Sequence, residues 1–272
     1  MTTSTTQSDQ LARFRALHAP GNMLVLPNAW DGASAVLAEA AGAKAIATSS
    51  AAVAWANGYA DGEAMPPEVA RQAARAVLRV TRLPVTVDSE AGYSADPAAV
   101  AAHVTALIGI GAVGINLEDG REPPELLVAK IEAIKAAARA KGADIFVNAR
   151  ADVYLANLVP DDAKLRETIR RGLLYRDAGA DGYFAPFIKD LSDIRAVADA
   201  VPLPLNVLMM KGLSPVADLK AAGARRVSAG ALTARAAYGA AARAVKMALE
   251  EGRYDAIYAT SGDCPDFNRL LG

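Results

Sequence analysis

The sequence predicts an α/β protein, a (β/α)8 barrel of the TIM type with a C-terminal helical extension, and three observations carry that prediction. Short runs of strand formers alternate with longer Ala-rich stretches eight times over, the order required by parallel strands joined through crossover helices. The helix-to-strand joints share one pattern, AGAKAI, IGAVGI, AGADGY and AGARRV. In each, glycine stops the helix because it takes a left-handed conformation without a Cβ clash. The first strand runs into LPNAWDG, not into the glycine-rich phosphate loop that follows the first strand of an open doubly wound sheet.

The elements follow in order. Strands are expected at 23–27 (MLVLP), 45–50 (AIATSS), 84–90 (PVTVDSE) and 113–119 (VGINLED). Four more are expected at 144–152 (DIFVNARAD), 181–186 (DGYFAP), 204–210 (PLNVLMM) and 225–230 (RRVSAG). Helices are expected between them at 31–41, 66–81, 96–109, 123–141, 161–178, 190–200, 214–222 and 231–250. Asp96-Pro97, Asp161-Asp162 and Ser214-Pro215 supply helix starts, as an N-cap side chain or a proline in the first turn. No composition break marks a second domain, so residues 1–272 are read as one barrel domain with 251–272 as its extension.

Composition sets outer limits on function. The chain is 53% hydrophobic and 22% charged with a formal net charge of −1, the profile of a soluble globular protein. Balanced, interspersed charge gives no electrostatic case for nucleic acid or an anionic membrane. No apolar run approaches the roughly 20 residues that span a bilayer. The start, MTTSTTQSDQ, lacks the features of a signal peptide, and a single cysteine, Cys264, forms no disulfide framework or zinc cluster. A cytoplasmic protein is expected.

Polar residues gather at one end of four successive strands. The second strand ends in Thr48, Ser49 and Ser50; the third in Asp88 and Glu90; the fourth in Glu118 and Asp119; the fifth in Asn148, Arg150 and Asp152. In a barrel this C-terminal end is where chemistry sits. Alternation along an extended strand puts Asp88 and Glu90 on one face with Ser89 opposed. Asp88, Glu90 and Glu118 converging at the mouth is unfavourable unless a cation or protons neutralise them. Magnesium suits such a site, because it prefers oxygen ligands and binds through one or two carboxylates while keeping waters and substrate. Arg150 offers a fork suited to a carboxylate or phosphate, and Ser49, Ser50 and Ala51 begin a loop whose N–H groups could receive an anion.

These residues resemble the isocitrate lyase/phosphoenolpyruvate mutase superfamily. The likeness runs from LPNAWDGASAVLAEAAGAKAIATSS through VTVDSEAGY, GINLEDG and FVNARAD to PLNVLMM and VSAG. Its most specific pieces are DSEAGY, similar to the family's Asp-x-Asp/Glu-x-Gly-Tyr-Gly, and LED one unit later. The resemblance implies that Asp88 contacts Mg²⁺ directly or through water, with Glu90 and Glu118 in the same shell and Mn²⁺ as an alternative. It implies that Arg150 binds the substrate carboxylate and that Ser49, Ser50 and Ala51 hold the 2-oxo acid end. Asp61, in NGYADGE, matches a mobile loop covering the site, and completes a catalytic set with Arg150 and Glu118. A homo-oligomer is implied as well, a tetramer exchanging C-terminal helices or a dimer.

Two departures bear on the reaction. The lyase branch carries a catalytic Cys in Lys-Lys-Cys-Gly-His after the fourth strand, whereas this chain has DGREPPE there. The phosphonomutase branch has Glu-Asp-Lys and a longer loop bearing Asn; here Glu118-Asp119 is followed by Gly120. His18 and His103 read as structural or surface residues, Tyr59 and Tyr93 as packing residues that could move a proton, and Lys211 as a loop lysine, a phosphate contact or a Schiff-base former. The expected function is a Mg²⁺-dependent carbon–carbon lyase on a small 2-oxo or 2-hydroxy carboxylic acid, acting through a pyruvate-type enolate. The alternatives are P–C chemistry on phosphonopyruvate or phosphoenolpyruvate, and a non-catalytic barrel that binds 2-oxo acids.

Overall fold

A computed structural model describes residues 6–262 and 264–272 of the chain. Residues 1–5, on which part of the reading of the N-terminus falls, lie outside the described residues. The first half of the chain runs α1 (Gln7–Leu17), β1 (Leu24–Leu26), β2 (Asn28–Ala29), α2 (Gly32–Ala40), β3 (Ile46–Thr48), α3 (Ser50–Ala56), α4 (Pro67–Val80), β4 (Val85–Asp88), α5 (Pro97–Gly109), β5 (Gly114–Glu118) and α6 (Pro124–Ala140). The second half runs β6 (Phe146–Arg150), α7 (Asp161–Asp177), β7 (Gly182–Phe184), α8 (Leu191–Ala200), β8 (Leu205–Leu208), α9 (Val216–Ala221), β9 (Arg226–Ser228), α10 (Leu232–Glu251), α11 (Asp255–Ser261) and α12 (Phe267–Leu271). No helix among the described residues is long and apolar enough to cross a membrane.

All nine strands are parallel, in the order β1-β9-β8-β7-β6-β5-β4-β3-β2. The predicted strand 23–27 is β1, and a further short strand that was not predicted, β2, follows Pro27. Proline has no N–H to give a ladder, so the pairing changes partner there: β1 pairs with β9 and β2 with β3. Leu26 and Pro27 still accept from Ala229 and Ala47 through their carbonyls, at 3.2 and 3.0 Å. The sheet thereby closes on itself, and the architecture is a TIM-type (β/α)8 barrel.

The outward side chains of the strands form the main core. Val87, Ile115, Leu117 and Val147 pack against Leu107, Leu127, Ile131 and Ile134 of the surrounding helices. The floor of the barrel is closed by α1, which the sequence reading did not anticipate. Its signal was present, a capping box between Thr6 and Asp9 of the kind that opens helices. Gln7 Nε2 donates to the carbonyls of Ala112 and Asp144 at 3.1 and 3.0 Å, and Arg15 pairs with Asp144 and Asp181. Leu11 and Phe14 fill the opening beside Leu24, Leu26 and Phe146. Gly114 makes room for Phe14: a Cβ there would stand 3.2 Å from the Phe14 ring and 2.8 Å from Thr86 Oγ1.

His18, at the end of α1, is structural as expected. Its ring stacks on Phe146 at 4.7 Å, and its Nδ1 lies 2.8 Å from the Phe14 carbonyl. Burial, with Arg226 nearby, pulls its pKa from 6.5 to about 4. The unfolded chain therefore takes up a proton between pH 6.5 and 4 that the folded chain refuses. Stability present above pH 6.5 is lost as the pH falls toward 4, by about 3 kcal/mol for this group. Urea titrations across that window should show the loss, and His18→Gln should flatten the slope.

Candidate active site

Asp88 is the last residue of β4. Its N–H donates to Thr48 Oγ1 at 2.8 Å and its Oδ2 accepts from the Ser50 N–H at 3.0 Å. The other oxygen, Oδ1, is buried without a partner among the described residues. The strand alternation expected through Glu90 does not hold. Glu90 has a φ of 47°, an uncommon conformation for a residue with a Cβ, because the chain turns at Ser89 to let Gly92 N–H reach the Ser89 carbonyl at 2.8 Å. The turn nevertheless keeps the two acids together. Burial pushes the Glu90 carboxyl up to about 7, the Glu63 N–H pulls it back, and the charges of Asp88, Asp61 and Glu63 add to the rise.

Arg150, at the end of β6, bridges the acids on its own side. Nη1 meets Glu118 at 2.6 Å, while Nε and Nη2 grip Asp152 at 2.6 and 2.9 Å. The guanidinium also lies over the Phe184 ring, 5.9 Å from its centroid. Burial opposes its charge, but Glu118 and Asp152 outweigh that and raise its pKa. Of its five donors, the two bonded to Asp152 are used, which leaves one N–H on Nη2 and the pair on Nη1, beside Glu118, for a ligand. Glu118 is raised by burial and by Asp88, Asp152 and Glu90, against the pull of Arg150.

Asp119 parts company with its neighbour. It turns away from the mouth, where its carboxylate accepts from Arg171 at 2.7 Å, from the Tyr175 hydroxyl and from the Asp152 N–H at 2.9 Å. This buried network anchors Asp152, which in turn aligns Arg150. Removing one member of a buried ion pair typically costs about 3–5 kcal/mol. Asp119→Ala should lower the unfolding free energy by about 3 kcal/mol or more, measurable by chemical denaturation.

Ser49, Ser50 and Ala51 line the same cavity as Asp88 and Arg150, but they do not form a loop. They open α3, with Ser49 as N-cap accepting from the Ala52 N–H at 3.5 Å. SSAAVAWA lacks any glycine or proline to mark that helix. The Ser50 N–H is engaged by Asp88, whereas the Ala51 N–H, in the first turn of α3, has no intrahelical acceptor. Asp61 reaches the cavity from the segment between α3 and α4. Burial and Asp88 raise its pKa, against hydrogen bonds from the Gly62 N–H and the Ser50 hydroxyl. That segment is fastened to the rim, since the Glu63 N–H donates to Glu90 and Glu63 Oε1 accepts from the Tyr93 N–H at 2.6 Å.

The cavity has a volume of about 320 Å³. Its polar side carries Asp61, Asp88, Asn116 and Arg150, and its far side Leu155, Phe184, Phe187, Leu208, Met209 and Met210, with Lys211 and Arg235 at the edge. The sequence reading missed the far side and Asn116. His103 and Tyr93 pack edge to face at 5.3 Å outside the cavity lining, and burial next to Glu90 raises Tyr93, holding its proton. Cys264 is exposed in the extension.

A divalent cation fits the acid rim. Asp88 Oδ1 and Glu90 Oε1 are buried without a partner among the described residues, and the donor set is carboxylate oxygen, as Mg²⁺ and Mn²⁺ prefer. No three His, Cys, Asp or Glu side chains among the described residues are grouped so that together they could hold a metal ion. Water and substrate would therefore supply the rest of the shell, as is usual for magnesium.

Known proteins resemble the chain in sequence and in fold. Residues 14–249 match the phosphoenolpyruvate phosphomutase family. An uncharacterized protein of Mycobacterium tuberculosis (strain ATCC 25618 / H37Rv) is 39% identical over 243 residues, 88% of this chain and 89% of its own. The 2-methylisocitrate lyase of Escherichia coli (strain K12) is 30% identical over 204 residues, 71% of this chain and 67% of its own. Among solved structures, a candidate lyase/mutase from Burkholderia cenocepacia J2315 superposes with a TM-score of 0.87 at 33% identity, over 98% of this chain and 96% of that one. A phosphonopyruvate hydrolase in complex with oxalate and Mg²⁺ shares the fold, with a TM-score of 0.81 at 23% identity, over 96% and 93% of the two chains.

Proposed function

The chain belongs to the phosphoenolpyruvate phosphomutase family, and from that premise we propose that it is a Mg²⁺-dependent lyase breaking a C–C bond in a small 2-oxo or 2-hydroxy carboxylic acid. The members named above include lyases, mutases and hydrolases. The observation that carries the lyase reading is the rim itself: Asp61, Asp88 and Arg150 line one cavity, with Glu118 2.6 Å from Arg150 and Glu90 beside Asp88. The cation would sit at Asp88, with Glu90 and Glu118 in its shell, and would act as a Lewis acid toward the 2-oxo or 2-hydroxy oxygen. The protein's own groups do the rest. The free N–H groups of Arg150 orient the substrate carboxylate and, with the Ala51 N–H, face the negative charge that grows as the C–C bond breaks and its electron pair is held as an enolate. Asp61 and its fastened segment limit access of water from above.

The short turn after β5 favours C–C over P–C chemistry. Residues 119–123 lead straight into α6 and leave no long loop to deliver a lysine, asparagine or cysteine over the substrate. An enolate-forming cleavage needs only the rim and Arg150, whereas phosphoryl movement needs further groups around a second anion. The test is a panel of 2-oxo and 2-hydroxy diacids assayed for pyruvate or glyoxylate release, with Mg²⁺ and with EDTA. Release that EDTA abolishes supports the lyase; metal-independent release contradicts it. Phosphate release from phosphonopyruvate would replace the reading with P–C chemistry. Tight oxalate binding with no turnover of any substrate would leave a binding protein.

We also propose that the chain assembles into a homo-oligomer, a tetramer or a dimer, through its C-terminal helices. α10 and α11 expose Val245, Leu249, Tyr254 and Tyr258, with Leu249 81% and Tyr258 73% accessible, far more apolar surface than two helices ordinarily leave to water. Light scattering should report an assembly that Leu249→Glu with Tyr258→Glu reduces toward monomer.

A further inference from the structure

Barrels of this type are ordinarily filled by branched aliphatic side chains, yet the middle of this one is polar. Thr86, Asn116, Asn148, Asn206 and Arg226 alternate inward along their strands, and none is more than 5% exposed. Arg226 is the outlier. It is 1% exposed, has no ion-pair partner among the described residues, and its Nε and Nη1 are unpartnered. Its hydrogen bond runs from Nη2 to Asn116 Oδ1 at 3.2 Å, and Asn148 Nδ2 donates to the same oxygen at 2.9 Å.

Two donors on one oxygen fix the amide of Asn116. Arginine has no acceptor, so turning the amide over would set its N–H groups against a buried guanidinium and strip both donors of their partner. Each such loss is costly in a buried site. The Oδ1 arm is therefore held toward Arg226, and the Nδ2 arm is held in the remaining direction. That arm donates to no group among the described residues, and it is not among the fully occluded polar atoms. Asn116 lines the cavity and is the register neighbour of Asp88.

We propose that Asn116 is a substrate-binding residue, a neutral donor on the cavity floor directed at an acceptor oxygen of the bound 2-oxo acid, and that Arg226 is its positioning residue. The proposal rests on the reading of the cavity as a 2-oxo acid site. An asparagine whose acceptor is turned down presents only N–H groups upward. It donates to a carbonyl or carboxylate oxygen without adding another negative charge beside Asp88. Arg226 supplies the orientation from a position no ligand reaches.

The experiment is a double-mutant cycle on the full-length protein, read as the Kd of oxalate in saturating Mg²⁺ by titration calorimetry, with Tm followed for each variant. Asn116→Ala should raise the Kd about 10-fold or more, the weight of a hydrogen bond to a charged ligand. Arg226→Met should raise it about fivefold alone and hardly at all in the Asn116→Ala background, because one residue acts through the other. Arg226→Lys, which keeps a buried donor, is the milder arm should Arg226→Met fail to fold, and it should follow the same pattern. Undiminished binding by Asn116→Ala overturns the assignment of Asn116, and an Arg226 effect of equal size in both backgrounds overturns its positioning role. Wild-type protein that binds no oxalate overturns the 2-oxo acid reading itself, and this inference with it.

Discussion

Asp88→Ala is expected to reduce Mg²⁺-stimulated turnover by more than about 100-fold, since losing even a group that supports a metal ligand costs 10–100-fold. The fold should survive. The Asp88 backbone N–H still donates to Thr48 Oγ1 in the variant, and the lost side-chain contact is a single one, to the Ser50 N–H. Asp88 also repels Glu90, Glu118 and Asp61, raising each of them. Its removal relieves that repulsion, so Tm should stay constant or rise without added metal. The comparison to make is turnover against Mg²⁺ concentration beside Tm with and without Mg²⁺. Wild-type Tm should climb with Mg²⁺ by mass action and the variant's should not. Full activity in Asp88→Ala would remove the metal from the proposal.

The second large effect belongs to Arg150, where activity and stability should move together. Arg150→Met leaves Glu118 and Asp152 buried at 17% and 6% side-chain exposure with no cation between them. Breaking such an arrangement costs about 3–5 kcal/mol, and the substrate loses its fork as well. Arg150→Lys separates the two losses. A lysine keeps a positive charge but not the planar pair of N–H groups, so folding should be largely retained. Its kcat/KM should fall about 10²- to 10³-fold, the size of losing a preorganised donor to developing charge. Equal kcat/KM in Arg150→Lys and wild type would show that the fork is not what holds the substrate.

The acids of the rim stand out in the sequence because each ends an apolar run, and eight of the nine strands, the helix spans and the barrel closure follow from the same alternation. What stayed hidden depends on closure in three dimensions. Pro27 separates β1 from β2 only because its two neighbours lie on opposite sides. The far wall of the cavity is assembled from the ends of β7 and β8 and from the segments that follow β6, β7 and β8, pieces distant along the chain. Asn116 and Arg226 sit in strands whose period of two looks the same whether the polar face meets water or the inside of a barrel. Ser49 and Ser50 were recognised as site residues while their helix was not, since seven residues of α3 carry too short a period to read.

The plug that seals the floor has a temporal side. Residues 7–17 leave the ribosome well before their partners: Arg15 meets Asp144 and Asp181, the latter 166 positions downstream. Contacts of such long sequence separation form only after the intervening chain has been ordered. Nascent α1 therefore waits for β6 and β7, and the base of the barrel is completed after most of its wall.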